Sequence, residues 1–280
     1  MKIFSLICNI LLIMIFSSCD QGSYYPFSFP GSPTVDSITT FIANMGYPAG
    51  LIFDSNGNLL VTDFKNPGSI RKVTPVGASD TFAIGIRSAT GIAIDRAGYV
   101  YSSSQDGTVK RVPPAGGSMT SFAFNQSNPS GIAFDYLGNL YISNYDANTI
   151  RIVNPLGYDS VYAGGFNGPV GLVFDGNGFL YVAERHTNSI YRISPNGIRD
   201  LFADSIPGPH SMALDKQGNM FVTSTDGYMG NSVYVIRQTG EKYLLSNAFD
   251  KPTGVAIDAA GNLYVSNLWT GVVFKVYLKR

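Results

Sequence analysis

The chain has 280 residues, 14% of them charged, and a formal net charge of zero. With no basic run it lacks the electrostatic footprint that nucleic-acid binding requires. Its 31 Gly, 15 Pro, 18 Phe and 17 Tyr suit short strands joined by tight turns, and no segment holds a capped helical period.

The N-terminus reads as a targeting segment. Lys2 precedes an almost wholly apolar run, Ile3 to Phe16, of 14 residues. That length fits the core of a signal peptide and is short for a membrane-spanning helix. The sequence Phe16-Ser17-Ser18-Cys19 resembles the bacterial lipobox, with Phe16 where Leu, Val or Ile is usual. The resemblance implies cleavage before Cys19 and lipid attached to its thiol. Cys8 would leave with the signal, so no intrachain disulfide is available to the mature chain. Residues 1–18 are thus expected to be a lipoprotein signal peptide, and residues 19–35 a lipidated Cys followed by a flexible tether rich in Pro, Ser and aromatics. The expected location is exported, on the periplasmic face or the cell surface, held to a bacterial membrane by acyl chains that anchor without spanning.

From residue 36 to 280 one pattern recurs: Gly, apolar, any, apolar, Asp, two variable residues, Gly, one variable residue, apolar. The copies carry Asp54, Asp95, Asp135, Asp175, Asp215 and Asp258, at spacings of 41, 40, 40, 40 and 43 residues. The fifth copy has Ser211 where the other copies have Gly. Each unit reads as four strands, and Asp-x-x-Gly suits the first hairpin because Gly accepts positive φ while the carboxylate caps turn amides. Units of this length with four strands predict an all-β, six-bladed β-propeller. The last unit supplies only three strands. Asp36 to Ala43 matches the missing fourth and is expected to close the ring, removing exposed sheet edges.

Read together, these repeats, and in particular Leu180 to Gly197, resemble the NHL-repeat propellers and their gluconolactonase-like and streptogramin-lyase-like relatives. The resemblance implies a fold strongly and a function weakly, because the architecture hosts many roles. In the lactonase-like enzymes it implies Asn and Asp metal ligands just before the repeat Gly. Here those positions are Ala49, Thr90, Ser130, Val170, His210 and Thr253, which lack the hard ligands a divalent cation needs. The lyase-like enzymes use His and Glu with magnesium, and the matching elements are Gly208-Pro209-His210 and Glu184 to Ile193.

Candidate site residues follow from the repeat. A four-strand path places the loops after strands two and four around one mouth of the central channel. Glu184, His186 and His210 are the catalytic candidates, since a His near neutral pH with a carboxylate partner serves acid–base chemistry. Asp63, Asn144, Tyr145, Arg185, Tyr228, Asn267 and Trp269 are the binding candidates, being loop-end polar, aromatic or Arg residues suited to recognition. The six repeat Asp read as turn residues, and Tyr101, Tyr141, Tyr181 and Tyr264 as core. No cofactor or metal site is expected on the residues alone, a divalent cation entering only through the enzyme reading. The expected partners are a membrane, through the lipid, and a protein, peptide or glycan ligand, with no nucleic acid and a monomeric state. The leading expectation is a lipid-anchored cell-envelope binding or scaffold propeller. The alternative is a metal-assisted lyase or lactonase.

Overall fold

A computed structural model describes residues 31–225 and 231–279. Six four-stranded antiparallel sheets make up the described residues, with no helix among them. Blade one is β2 (Pro48–Phe53), β3 (Leu59–Asp63), β4 (Gly68–Val73) and β5 (Ser79–Ile86). Blade two is β6 (Ile92–Ile94), β7 (Val100–Ser104), β8 (Thr108–Val112) and β9 (Thr120–Ala123). Blade three is β10 (Pro129–Phe134), β11 (Leu140–Asn144), β12 (Thr149–Val153) and β13 (Asp159–Gly164). Blade four is β14 (Pro169–Phe174), β15 (Leu180–Glu184), β16 (Ser189–Ile193) and β17 (Arg199–Ala203). Blade five is β18 (Pro209–Leu214), β19 (Met220–Ser224), β20 (Ser232–Ile236) and β21 (Lys242–Ser246). Blade six joins β22 (Pro252–Ile257), β23 (Leu263–Asn267) and β24 (Val272–Lys279) to β1 (Thr34–Ile42) from the other end of the chain.

The protein is therefore a six-bladed β-propeller whose N-terminal strand completes the last blade. β1 begins at Thr34, two residues earlier than the repeat pattern places it, because Thr34 and Val35 pair with Lys279 and Leu278.

The turns are built as their sequence requires. In blade three the Asp135 carboxylate accepts from Leu137 N (2.9 Å), Asn139 N (2.8 Å) and Asn139 Nδ2 (2.7 Å). Gly138 closes the same turn at φ +85°, a conformation that favours Gly.

Packing lies between blades. Six apolar clusters fill the six junctions, including the one between blades six and one that joins the ends of the chain. Leu59, Leu140, Ile150, Ile190 and Val265 are fully buried in them, each such side chain contributing about 1.5–3 kcal/mol. Tyr101, Tyr141 and Tyr264 of strand two sit edge-on between rings of their own blade and the next, and Tyr181 sits against Phe202 of its own blade. Tyr101 lies 5.0 Å from Phe122 and 4.9 Å from Phe134. Its hydroxyl donates to Asp95 Oδ2 at 3.1 Å, and burial, reinforced by the Asp95 charge, pushes its pKa up to about 12. The phenol thus stays protonated and a donor.

The innermost strands meet around the channel at very short range. A Cβ on Gly50, Gly91, Gly131, Gly171 or Gly254 would lie 2.0–2.3 Å from a carbonyl oxygen of the following blade, so only Gly fits there. Hydroxyls on strand two seal the same seam. Thr62, Ser103, Ser143, Thr223 and Ser266 donate to Thr90 O (3.1 Å), Ser130 O (2.6 Å), Val170 O (2.6 Å), Thr253 O (3.0 Å) and Ala49 O (2.7 Å). Blade four departs, with Ala183 at that position.

The bonds of Ser143, Thr223 and Ser266 are buried, and an orphaned carbonyl costs about 1–3 kcal/mol. Ser143→Ala should therefore lower the unfolding free energy by about that amount, read from urea denaturation, whereas Ser160→Ala, on an exposed stretch of β13, should change it by less than about 0.5 kcal/mol.

Candidate functional site

Antiparallel order gives the ring two faces. Turns after strands one and three form a turn face. Loops after strands two and four form a loop face. The channel between them is lined by the six inner strands and holds about 480 Å³. Thr90, Ser130, His210 and Thr253 line it toward the loop face, and Phe53, Phe134, Phe174 and Leu214 toward the turn face. It is therefore hydroxyl-rich at one mouth and apolar at the other.

His210 stands in the channel wall. Its Nδ1 lies 3.0 Å from the Thr253 carbonyl oxygen. A carbonyl only accepts, so Nδ1 carries the proton and Nε2 the lone pair. Burial, then the charge of Arg185 and, more weakly, of Lys251, pull the imidazole pKa down to about 4, against the opposing bond to Thr253. His210 is consequently neutral at physiological pH, an acceptor at Nε2 and a weak base.

Glu184 is 2% exposed and fully engaged. It accepts from Asn167 N at 2.7 Å and from Arg199 Nη2 at 3.2 Å, and Thr187 Oγ1 donates to its other oxygen. The Arg199 guanidinium is itself sandwiched between Phe166 (4.1 Å) and Tyr191 (3.9 Å). This cluster pins the loop before β14 to blade four. His186 is exposed and turns the other way, its Nε2 2.9 Å from the Tyr145 hydroxyl of blade three. Both rings lie over Gly168, where a Cβ would come within 2.5 Å of His186. Glu184, His186 and His210 thus have separate partners, and no hydrogen bond joins them. Among the described residues no three His, Cys, Asp or Glu side chains gather as a metal-holding group.

The strand-two ends have one geometry. Asp63 accepts from Tyr47 N at 2.9 Å, and Ser104 donates to Arg87 O at 3.1 Å. Asn144 donates to Gln126 Oε1 at 3.1 Å, and Ser224 donates to Pro207 O. With Glu184 and Asn167, each of these reaches the loop 16–18 residues earlier. Asp63, Asn144 and Asn267 are 8%, 1% and 2% exposed, and Asp63 and Asn144 brace the loops from beneath. The Oδ1 atoms of Asn144 and Asn267 are buried without a hydrogen-bond partner. Arg185 is half-buried near the mouth, where its charge reaches His210. Tyr228 lies outside the described residues.

Trp269 is displayed. The sole Trp is 59% exposed, and Tyr47, 40% exposed, stands edge-on to it at 6.4 Å and 82°. Lys251 Nζ sits 5.0 Å from the indole and Lys65 Nζ 5.7 Å from the phenol. Backbone bonds hold the loops in place: Leu268 N to Lys251 O at 3.2 Å, Phe64 N to Tyr47 O at 2.8 Å, and Met45 N to Gly271 O at 2.9 Å. Four loops of blades five, six and one thus present two aromatic rings flanked by two ammonium groups. Such a surface suits a ligand with an apolar or sugar-ring face and an anionic group. Tyr47, Lys65 and Lys251 were not singled out by the sequence. Only their position in non-repeating loops marked them.

No protein-family profile matches the chain, and no curated protein sequence does. Among solved structures it resembles virginiamycin B lyase from Staphylococcus aureus, at 15% identity over 89% of this chain and 100% of that one, with a TM-score of 0.65. It also resembles a gluconolactonase from Xanthomonas campestris, at 14% identity over 91% of this chain and 100% of that one, with a TM-score of 0.74. A streptogramin B lyase matches at 16% identity over 87% and 98%, with a TM-score of 0.66. Likeness at this identity establishes the shared propeller fold.

The state of His210 gives a pH signature. The unfolded imidazole protonates near its ordinary value of 6.5 and the folded one only near 4. The unfolded chain therefore binds the extra proton between these values, and stability falls as pH drops through that window. His210→Gln should remove this share of the acid sensitivity. The wild-type melting temperature minus that of the variant should fall between pH 7 and about 4.5, and a constant difference would contradict the assignment.

Proposed function

We propose that the protein is a lipid-anchored binding propeller of the bacterial cell envelope, tethered through Cys19 and recognising a protein, peptide or glycan on its loop face. The observation that carries this reading is the Tyr47–Trp269 pair with Lys65 and Lys251. Every strand-two aromatic is spent on the core, whereas these rings face solvent with cations beside them. Exposed Trp and Tyr in a rigid frame are effective binding anchors, because they contribute large contact area with little side-chain entropy to lose.

A second reading, a metal-assisted lyase or lactonase, draws on the resemblance to those enzymes and on the free Nε2 of His210. The donor set does not fit a divalent cation. Glu184 is consumed by Asn167, Thr187 and Arg199, His186 is turned toward Tyr145, and the mouth residues Thr90, Ser130 and Thr253 are hydroxyls. His210 is bonded to the Thr253 carbonyl rather than to a carboxylate, so the binding reading stands ahead.

The test uses the sole Trp as a reporter. Titrating envelope glycans and peptides into the protein should shift Trp269 emission, and Tyr47→Ala should weaken the responding ligand about tenfold or more while leaving the melting temperature unchanged. Cys19→Ser should abolish incorporation of labelled fatty acid. Turnover of a small molecule that is lost in His210→Ala would favour the enzyme instead.

A further inference from the structure

We propose that the turn face of the propeller lies against the bilayer, with the turns of blades three and four entering the lipid interface, so that the loop face looks away from the membrane. The proposal rests on the lipid-anchor reading and adds to it an orientation and a second contact.

The first observation is where the chain enters the fold. The residues before β1 are fixed to the turn face. Ser32 is 8% exposed, and its Oγ accepts from Arg237 at Nε (3.1 Å) and Nη2 (2.6 Å). Tyr243 OH donates to Pro33 O at 3.0 Å. Arg237 opens the turn after strand three of blade five, and β1 then starts opposite Lys279, the end of β24. The first described residues therefore lie on the turn face, opposite the Tyr47–Trp269 pair.

The second observation is what that face displays. Leu156 is 82% exposed, Tyr158 74%, Tyr136 69%, Leu137 64% and Ile198 62%. The first four belong to the two turns of blade three, which abut: a Cβ on Gly138 would lie 3.7 Å from Pro155. Ile198 is in the matching turn of blade four. Val161 and Leu201, 56% and 55% exposed, carry the apolar surface onto the rim of the same two blades. Asp135 is the one acid in the turns of blade three, and its carboxylate is occupied by turn amides. The exposed charges Arg96, Lys216 and Glu241 of the turn face lie in the turns of blades two and five rather than in those of blades three and four.

Leu and Ile tips with Tyr among them match the membrane interface, where an aromatic ring sits in the apolar layer and its hydroxyl stays wet. A few such side chains hold a surface weakly by themselves. A lipid on the same face supplies the high effective concentration that makes a weak contact sufficient.

The experiment uses the full protein purified with its lipid and reconstituted in phosphatidylethanolamine–phosphatidylglycerol vesicles. An environment-sensitive dye is attached in turn to Leu156→Cys and Lys251→Cys, and quenched by nitroxide lipids. The expected result is a blue shift and quenching about twofold or more stronger at position 156 than at 251. Equal quenching, or stronger quenching at 251, overturns the proposal.

Mass spectrometry of the same preparation separates the two claims. If Cys19 carries no lipid, the anchor reading fails by itself. The surface is then tested by sedimentation with the same vesicles, where Leu156→Asp with Tyr158→Asp should cut the bound fraction about fivefold or more. No binding of the parent protein, or equal binding of the double variant, overturns the surface. A dimer in vesicle-free solution that the same double variant dissolves would assign the patch to a second copy and also overturn it.

Discussion

Everything in this molecule depends on how closely six inner strands approach one another around the channel. The repeat Gly permits that approach, because any Cβ at Gly131 would lie 2.1 Å from the Val170 carbonyl oxygen. Strand-two hydroxyls then close the seam by donating to the carbonyls that the approach has removed from water. Buried carbonyls must be paired, so Gly and hydroxyl work as one device repeated around the ring. Ser266 carries it across the junction where the two ends of the chain meet.

The device explains where function has room to reside. Every blade spends its repeat Asp on a turn, four spend a strand-two Tyr on the core, five a hydroxyl on the seam and five a strand-two end on bracing a loop. What remains is the outer surface of the loops and turns. Two departures flank blade five: Ala183 of blade four supplies no hydroxyl to the His210 carbonyl, and Ser211 of blade five replaces the repeat Gly. His210 stands there, its Nδ1 bonded to the Thr253 oxygen that Thr223 also reaches. The most irregular part of the seam thus carries the one imidazole of the channel wall.

Much of this was legible in the sequence because periodicity survives without coordinates. The five spacings between the six Asp, the three-strand last unit and the stray strand near residue 36 sufficed to expect six blades and ring closure. The hydroxyl device was equally periodic, at Thr62, Ser103, Ser143, Thr223 and Ser266, yet small polar residues inside strands give no sign of which carbonyl they meet. The strand-two ends show the opposite difficulty. Asp63, Asn144, Glu184 and Asn267 are polar residues at loop boundaries, and only coordinates show them buried beneath the loops. Tyr47 and Trp269 lie near opposite ends of the chain, and only closure of the ring sets them side by side. The apolar turns of blade three were readable as residues, but their meaning depends on where Ser32 and Pro33 fix the chain.

The central claim is that the inner seam, rather than any single blade, holds the fold together. Gly131→Ala tests it most directly. A methyl group at that position should force blades three and four apart and lower the unfolding free energy by about 2–4 kcal/mol, with one cooperative transition at a lower urea midpoint. A midpoint equal to that of the wild type would show that the close approach is incidental.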